Sequence, residues 1–238
     1  MTLEIVRLYH DLLGTYGDQG NAEVLIHRAK ARNIDVNLIE VTPGMPVPRS
    51  GDIYLLGGGE DGPQFAALEM LKSDGGLNYA AAGGATVLAI CAGFQIIGDS
   101  LPDSNGNKTS GLGLVDAHTI YDASPRSVGE LVIQPSRGGL PLLTGFENHQ
   151  GLTVLGEEMA ALGHVLSGVG NGFNQQEGVW HGNVFGTYMH GPALARNPEL
   201  ADAVLQCAVG PLRPFEDPLA NALAFERRST LAGNQSFS

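Results

Sequence analysis

The run Thr86-Val87-Leu88-Ala89-Ile90 stops abruptly at Cys91, and Phe94, Ile97 and Gly98 then follow at the three-to-four-residue spacing of a helix. The first five residues are β-branched and aliphatic enough to fill a buried strand. The chain must therefore make a sharp strand-to-helix turn at the cysteine. An elbow of this kind presents its side chain at the end of a sheet, and the small neighbours Ala92 and Gly93 leave room beside it. Backbone N–H groups opening a helix, together with the helix dipole, favour thiolate over thiol and can receive a developing oxyanion. A buried structural cysteine is the competing reading, because free cysteine is among the most buried residue types.

The flanking sequence supplies the rest of a sheet. Residues 4–9, 36–41 and 53–56 have strand character, and residues 114–121, 128–133 and 184–188 add further strands. Between the early strands, Ala22, Leu25, Ile26 and Ala29 fall on one helical face behind a cap at Asn21, and helical patterns recur over 66–71 and 80–82. This alternation predicts an α/β fold with a largely parallel sheet flanked by helices. Residues 101–113, 145–151 and 168–178, rich in glycine and amides, read as loops. Residues 1–210 are expected to form one domain, and residues 211–238 a proline-broken tail with a helix over 218–228.

Composition excludes several classes of function. A formal charge of −12 argues against nucleic acid as a partner, since phosphate binding is driven by lysine and arginine. No apolar run approaches the roughly 20 residues needed to span a bilayer. Glu4 and Arg7 interrupt the first segment, so no secretory signal is visible and the cytoplasm is the expected address. Cys91 and Cys207 are too few for a disulfide framework, and Cys207 lies in a helical pattern where it packs as a small hydrophobe. The absence of His-x₃-His and Cys-x₂-Cys spacing argues against a metal site.

Three further features can carry chemistry. Gly57-Gly58-Gly59 closes the strand 53–56, where N–H groups can face a carbonyl oxygen or an anion, although a tight turn explains the same residues. Neither a GxGxxG helix start nor a GxxxxGK[ST] loop is present, which leaves a nucleotide site without support. Arg126 precedes a strand and is either a solvated charge or a fork for a carboxylate. Of the seven histidines, His190 leaves the end of the strand 184–188 as Cys91 leaves its own, and parallel sheets bind ligands at such strand ends. His149, in a polar glycine-bounded segment, is the other candidate.

Together these residues resemble a class I, triad-type glutamine amidotransferase domain with its flavodoxin-like fold. The setting Gly186-Thr187-Tyr188-Met189-His190-Gly191-Pro192 is similar to the cobyric acid synthase-like branch. Narrower marks resemble the glutaminase subunits of lipid II isoglutaminyl synthases. These are Tyr16-Gly17-Asp18-Gln19-Gly20-Asn21, residues 56–64, Gly145-Phe146-Glu147-Asn148-His149 and Asn197-Pro198-Glu199-Leu200. The resemblance implies that Cys91 attacks the side-chain amide of L-glutamine and that His190 moves the proton. Arg126 would hold the substrate, and backbone donors around Gly58, Gly59 and Ala92 would stabilise the oxyanion. Many members carry a glutamate two residues after the histidine, where this chain has Pro192. Asp18 is the candidate to orient His190, with Glu147, a backbone carbonyl or no partner as the alternatives.

The resemblance also implies a Mur-ligase-like synthetase partner that receives the ammonia, with ATP and magnesium bound on that partner and no cofactor on this chain. Two rival expectations stand beside it. One is an amidotransferase component of cobyric acid synthesis, and the other is an α/β binding module without catalysis.

Overall fold

A computed structural model describes residues 2–103, 105–121 and 125–234. The first half runs β1 (Thr2–Leu8), α1 (Gly20–Lys30), β2 (Asp35–Val41), β3 (Ile53–Leu56), α2 (Asp61–Asp74), α3 (Gly76–Ala82), β4 (Thr86–Ile90) and α4 (Ala92–Ile97). Six short-to-medium strands follow: β5 (Ser100–Pro102), β6 (Lys108–Ser110), β7 (Ala117–Ile120), β8 (Ser127–Pro135), β9 (Leu143–His149) and β10 (Leu152–Leu155). The chain ends with β11 (Gly163–Ser167), β12 (Gln176–Glu177), β13 (Val179–His181), β14 (Val184–Thr187), α5 (Ala193–Arg196), α6 (Pro198–Val209) and α7 (Pro218–Asn234).

The central sheet has six strands in the order β13-β14-β4-β3-β1-β2, and every pair except β13–β14 is parallel. Its middle strands β3, β4 and β14 are buried along their whole length, as strands covered on both faces must be. The close packing behind them is visible at Gly186, where a Cβ would stand 2.2 Å from the ring of Phe94 on α4. Two further four-stranded sheets, β10-β7-β5-β6 and β12-β11-β8-β9, lie outside this sheet in the topology. They supply the loops that face the C-terminal ends of β4 and β14.

The α/β expectation agrees with this architecture, and three local expectations do not. Residues 145–151 fall largely in β9 rather than in a loop, because Phe146 pairs with Glu130 and also forms a bridge with His190. Residues 101–113 include the β5–β6 hairpin. Asn21 does not cap α1: its Oδ1 accepts the N–H of Leu194 at 2.9 Å, a tertiary bond that outcompetes the local one. In the tail, α7 extends to Asn234 and packs against α5, α6 and β9.

Candidate active site

Four neighbouring strands of the parallel sheet deliver the candidate residues to one edge. Asp18 follows β1, Gly57-Gly58-Gly59 follow β3, Cys91 follows β4 and His190 follows β14. The C-terminal edge of a parallel sheet is where loops diverge and leave a crevice.

Cys91 adopts φ 51° and ψ −106°, a conformation that a residue with a Cβ occupies at a cost of about 1–3 kcal/mol. The surroundings enforce it. Its N–H donates to Thr187 C=O at 2.8 Å and its own C=O accepts the N–H of Gln95 at 3.0 Å, so β14 holds one side while α4 begins on the other. The side chain is buried at the cleft floor, with Sγ 3.9 Å from the carbonyl of Asn148.

His190 is fully buried, and its backbone N–H and C=O pair with Phe146 at 2.8 and 3.1 Å. Its Nδ1 lies 2.9 Å from Oδ2 and 3.1 Å from Oδ1 of Asp18. Since a carboxylate accepts, Nδ1 carries the proton and the other nitrogen, Nε2, is left for exchange with the cleft. Nε2 has no hydrogen-bond partner among the described residues. Burial pushes the ring's pKa down, but the Asp18 hydrogen bond and the adjacent Cys91 outweigh it and raise the pKa to about 9. An imidazolium held through neutral pH is a ready proton donor to a leaving amine.

Gly58 is placed differently from the oxyanion-donor expectation. Its N–H donates to Oδ2 of Asp18 at 2.8 Å and is therefore committed. The residue serves by being small, because a Cβ there would stand 2.6 Å from Cε1 of His190 and 2.9 Å from Oγ1 of Thr15. Gly59 and Ala92 remain as donors to the cleft. Ala92 opens α4, so its N–H has no partner within the helix. No backbone hydrogen bond engages the N–H of Gly59 among the described residues.

Arg126 stands exposed on the opposite wall of the cleft, ahead of β8. Its Nε donates to Oδ1 of Asn148 and its second terminal nitrogen to Asn148 C=O at 3.3 Å. Both acceptors are neutral. Asn148 Nδ2 in turn donates to the hydroxyl of Tyr16, whose ring meets that of His190 edge-on at 4.9 Å. Cys91, Ala92, Gln95, Tyr121, Arg126 and His149 line a solvent-open cleft of about 470 Å³. Burial, with help from Asp61, pushes the Tyr121 phenol up to about 12.

His149 and Glu147 are occupied elsewhere. Nδ1 of His149 lies 2.9 Å from Gly151 C=O and Nε2 lies 3.2 Å from Oε2 of Glu147, and the ring stacks on Tyr188 at 3.8 Å. Glu147 also accepts the N–H groups of Val169 at 2.7 Å and Gly170 at 2.9 Å. With both nitrogens engaged, His149 is unsuited to take a proton from Cys91, and Glu147 does not reach His190. Away from the cleft lining, Asp99, Asp116 and His118 bring ligand-type atoms within 4.8 Å of one another although no sequence spacing announced them.

Sequence reasoning missed the floor of the cleft. Gln64 Nε2 donates to Gln95 Oε1 at 2.8 Å and to Ala92 C=O at 3.2 Å, and Gln95 Nε2 donates to the hydroxyl of Tyr188 at 3.3 Å. A signal was present: Gln95 lies one helical turn after Cys91, and an amide in an otherwise apolar stretch needs partners.

Comparisons with known proteins point to one family and one fold. The chain is 38% identical over 210 residues to the "Lipid II isoglutaminyl synthase (glutamine-hydrolyzing) subunit GatD" of Staphylococcus aureus (strain N315), covering 87% of this chain and 84% of that one. The protein of the same name from Streptococcus pneumoniae (strain ATCC BAA-255 / R6) is 34% identical over 238 residues, covering 94% and 90%. A cobyric acid synthase of Ruegeria sp. (strain TM1040) is 32% identical over 160 residues, covering 63% of this chain and 31% of its own length. Among solved structures, a crystal structure of a glutamine amidotransferase superposes with a TM-score of 0.58 at 18% identity, covering 86% of this chain and 98% of the other, which supports the fold. Residues 4–198 match the CobB/CobQ-like glutamine amidotransferase domain, and the chain belongs to that family of glutamine amidotransferases.

Proposed function

We propose that this chain hydrolyses L-glutamine to L-glutamate and ammonia. On this reading Cys91 attacks the side-chain amide carbon, and the N–H groups of Gly59 and Ala92 receive the oxyanion. One such donor contributes about 3–4 kcal/mol of transition-state stabilisation in a protease example. His190, held by Asp18, protonates the departing ammonia, and water then cleaves the thioester with His190 as base. The observation that carries the proposal is the buried Asp18–His190 pair at the strand end beside the Cys91 elbow.

The two GatD relatives, matched over most of both chains, support the cell-wall branch over the cobyric acid branch. The ammonia then passes to a Mur-ligase-like synthetase that amidates the α-carboxyl of D-glutamate in the lipid II stem peptide, giving D-isoglutamine. ATP and magnesium belong to that partner, this chain needs no cofactor of its own, and the pair works in the cytoplasm. Among the described residues no helix is long and apolar enough to cross a membrane.

The test is Cys91→Ala in the complex with the synthetase. Glutamine-dependent amidation of lipid II should vanish while amidation from added ammonium chloride persists. Glutamine use unchanged from wild type would refute the enzyme reading and favour a binding module.

A further inference from the structure

Glu177 is a buried carboxyl for which the proposed reaction has no use, yet it grips the segment on which that reaction depends. Its side chain is fully buried, and Oε1 accepts both the hydroxyl of Thr187 at 2.8 Å and the N–H of Tyr188 at 2.7 Å. The same Thr187 hydroxyl oxygen accepts the N–H of Met189 at 3.0 Å, and Thr187 C=O accepts the N–H of Cys91 at 2.8 Å. We propose that Glu177 is a positioning residue: it clasps the turn after β14 from which His190 departs and to which Cys91 is bolted. The proposal rests on the glutaminase reading.

The turn explains why a carboxyl is needed there. At Thr187 the chain leaves the sheet, so the N–H groups of Tyr188 and Met189 lose their ladder partners while buried, and such donors must be satisfied. One oxygen of Glu177 satisfies Tyr188 directly and holds the threonine hydroxyl in the rotamer that satisfies Met189. Two residues further on, His190 relies on this path to meet Asp18. Asn171 keeps Glu177 itself in place by exchanging hydrogen bonds with both backbone groups of Gly178, at 2.8 and 3.0 Å.

The second oxygen, Oε2, has no partner among the described residues. Burial first, and then the charge of Glu147 on β9, raise the carboxyl's pKa to about 7 against the Tyr188 and Thr187 donors. The other titratable groups on the neighbouring elements are the Tyr188 phenol, itself pushed up by burial, His149 of β9, which stacks on Tyr188 and meets Glu147, His190 beyond β14, and the exposed His164 of β11 and His181 of β13. A carboxyl whose folded pKa lies above its unfolded one favours the fold fully below about pH 4.5, and this contribution is lost as pH rises through about 7.

The test compares wild type with Glu177→Gln, which keeps the acceptor oxygen and cannot ionise, and Glu177→Ala, which removes the clasp. Glutaminase kcat should fall at least tenfold in Glu177→Ala with KM within threefold, and should stay within threefold of wild type in Glu177→Gln. The thermal midpoint of Glu177→Gln should gain on that of wild type as pH rises from 5 to 8. A folded Glu177→Ala with kcat within twofold of wild type, or a midpoint difference independent of pH, would overturn the proposal. If Glu177→Ala does not fold, Thr187→Val removes the hydroxyl arm of the clasp, and with it the acceptor for Met189, while leaving the Tyr188 bond; wild-type kcat in that variant is equally fatal to it. A wild-type chain that fails to hydrolyse glutamine counts against the glutaminase reading, whereas the midpoint comparison still judges the state of Glu177.

Discussion

A single carboxylate, Asp18, settles two neighbours at once. It accepts from Nδ1 of His190, fixing the tautomer, and from the N–H of Gly58, and it closes the space that only a glycine at 58 leaves open. Asp18→Asn should lower kcat more than tenfold with little change in KM, since the loss is felt mainly as the imidazolium forms. The pH dependence has a definite sign. A histidine raised from 6.5 to about 9 stabilises the fold fully below pH 6.5, and this contribution is lost as pH climbs toward 9. The stability difference between wild type and Asp18→Asn, followed by urea denaturation, should therefore be larger at pH 6 than at pH 10. Across the cleft, Arg126→Lys should raise the glutamine KM several-fold at similar kcat, because an ammonium cannot reproduce a planar fork for the α-carboxylate. Kinetics within twofold of wild type would make Arg126 a structural residue that only braces Asn148.

At the scale of elements, the opening loop and the segment after β14 form one docked unit. Tyr16 covers the His190 ring, Asp18 holds its Nδ1, Gly20 lies against Pro192, where a Cβ would come within 2.5 Å, and Asn21 accepts from Leu194 N–H. This explains what the sequence could and could not convey. The Cys91 elbow was legible because a buried strand and a helix start leave opposite periodicities on either side of it. Asp18 was visible only through a family resemblance, since nothing local distinguishes a loop carboxylate aimed at a residue 172 positions away from one aimed at water. Asn21 was misread as a cap for the same reason, since its amide oxygen accepts from a residue 173 positions away, and Asn197 likewise spends its amide on Thr144 and Ala193. Residues 145–151 were misread because glycine and amides suggest a loop while the pairing of β8 with β9 is decided by a distant partner. Between α1 and α6, Asp202 receives Arg28 through two 2.7 Å contacts and Arg32 through a third. Asp202→Ala would leave two guanidinium groups buried and unpaired, so unfolding free energy should drop by about 3 kcal/mol in urea titration.

For the whole molecule, the question is which parts the cleft requires. Its residues come from β1, β3, β4 and β14 of the central sheet, and from loops of the two outer sheets, so the cleft cannot survive loss of the main fold. The tail stands in a different relation to it. The α7 helix is tied down by a pairing of Arg228 with Glu199, by Arg227 with Glu130, and by the burial of Ala224, while Leu219 and Phe225 on the same helix are exposed. None of these residues lines the cleft. The route by which the tail could matter is α5, which α7 touches and which begins three residues after His190. That route is already secured without α7, because Asn21 and Asn197 hold the backbone of α5 from the α1 and β9 sides. A chain truncated after Gly210 should therefore unfold at a lower temperature than the full chain, from the loss of one packed helix and its ion pairs, and yet hydrolyse glutamine with kcat within threefold of it. A truncated protein that remained folded but lost more than tenfold in kcat would show that α7 braces His190 through α5. Residues 211–238 would then belong to the catalytic unit and not to a tail.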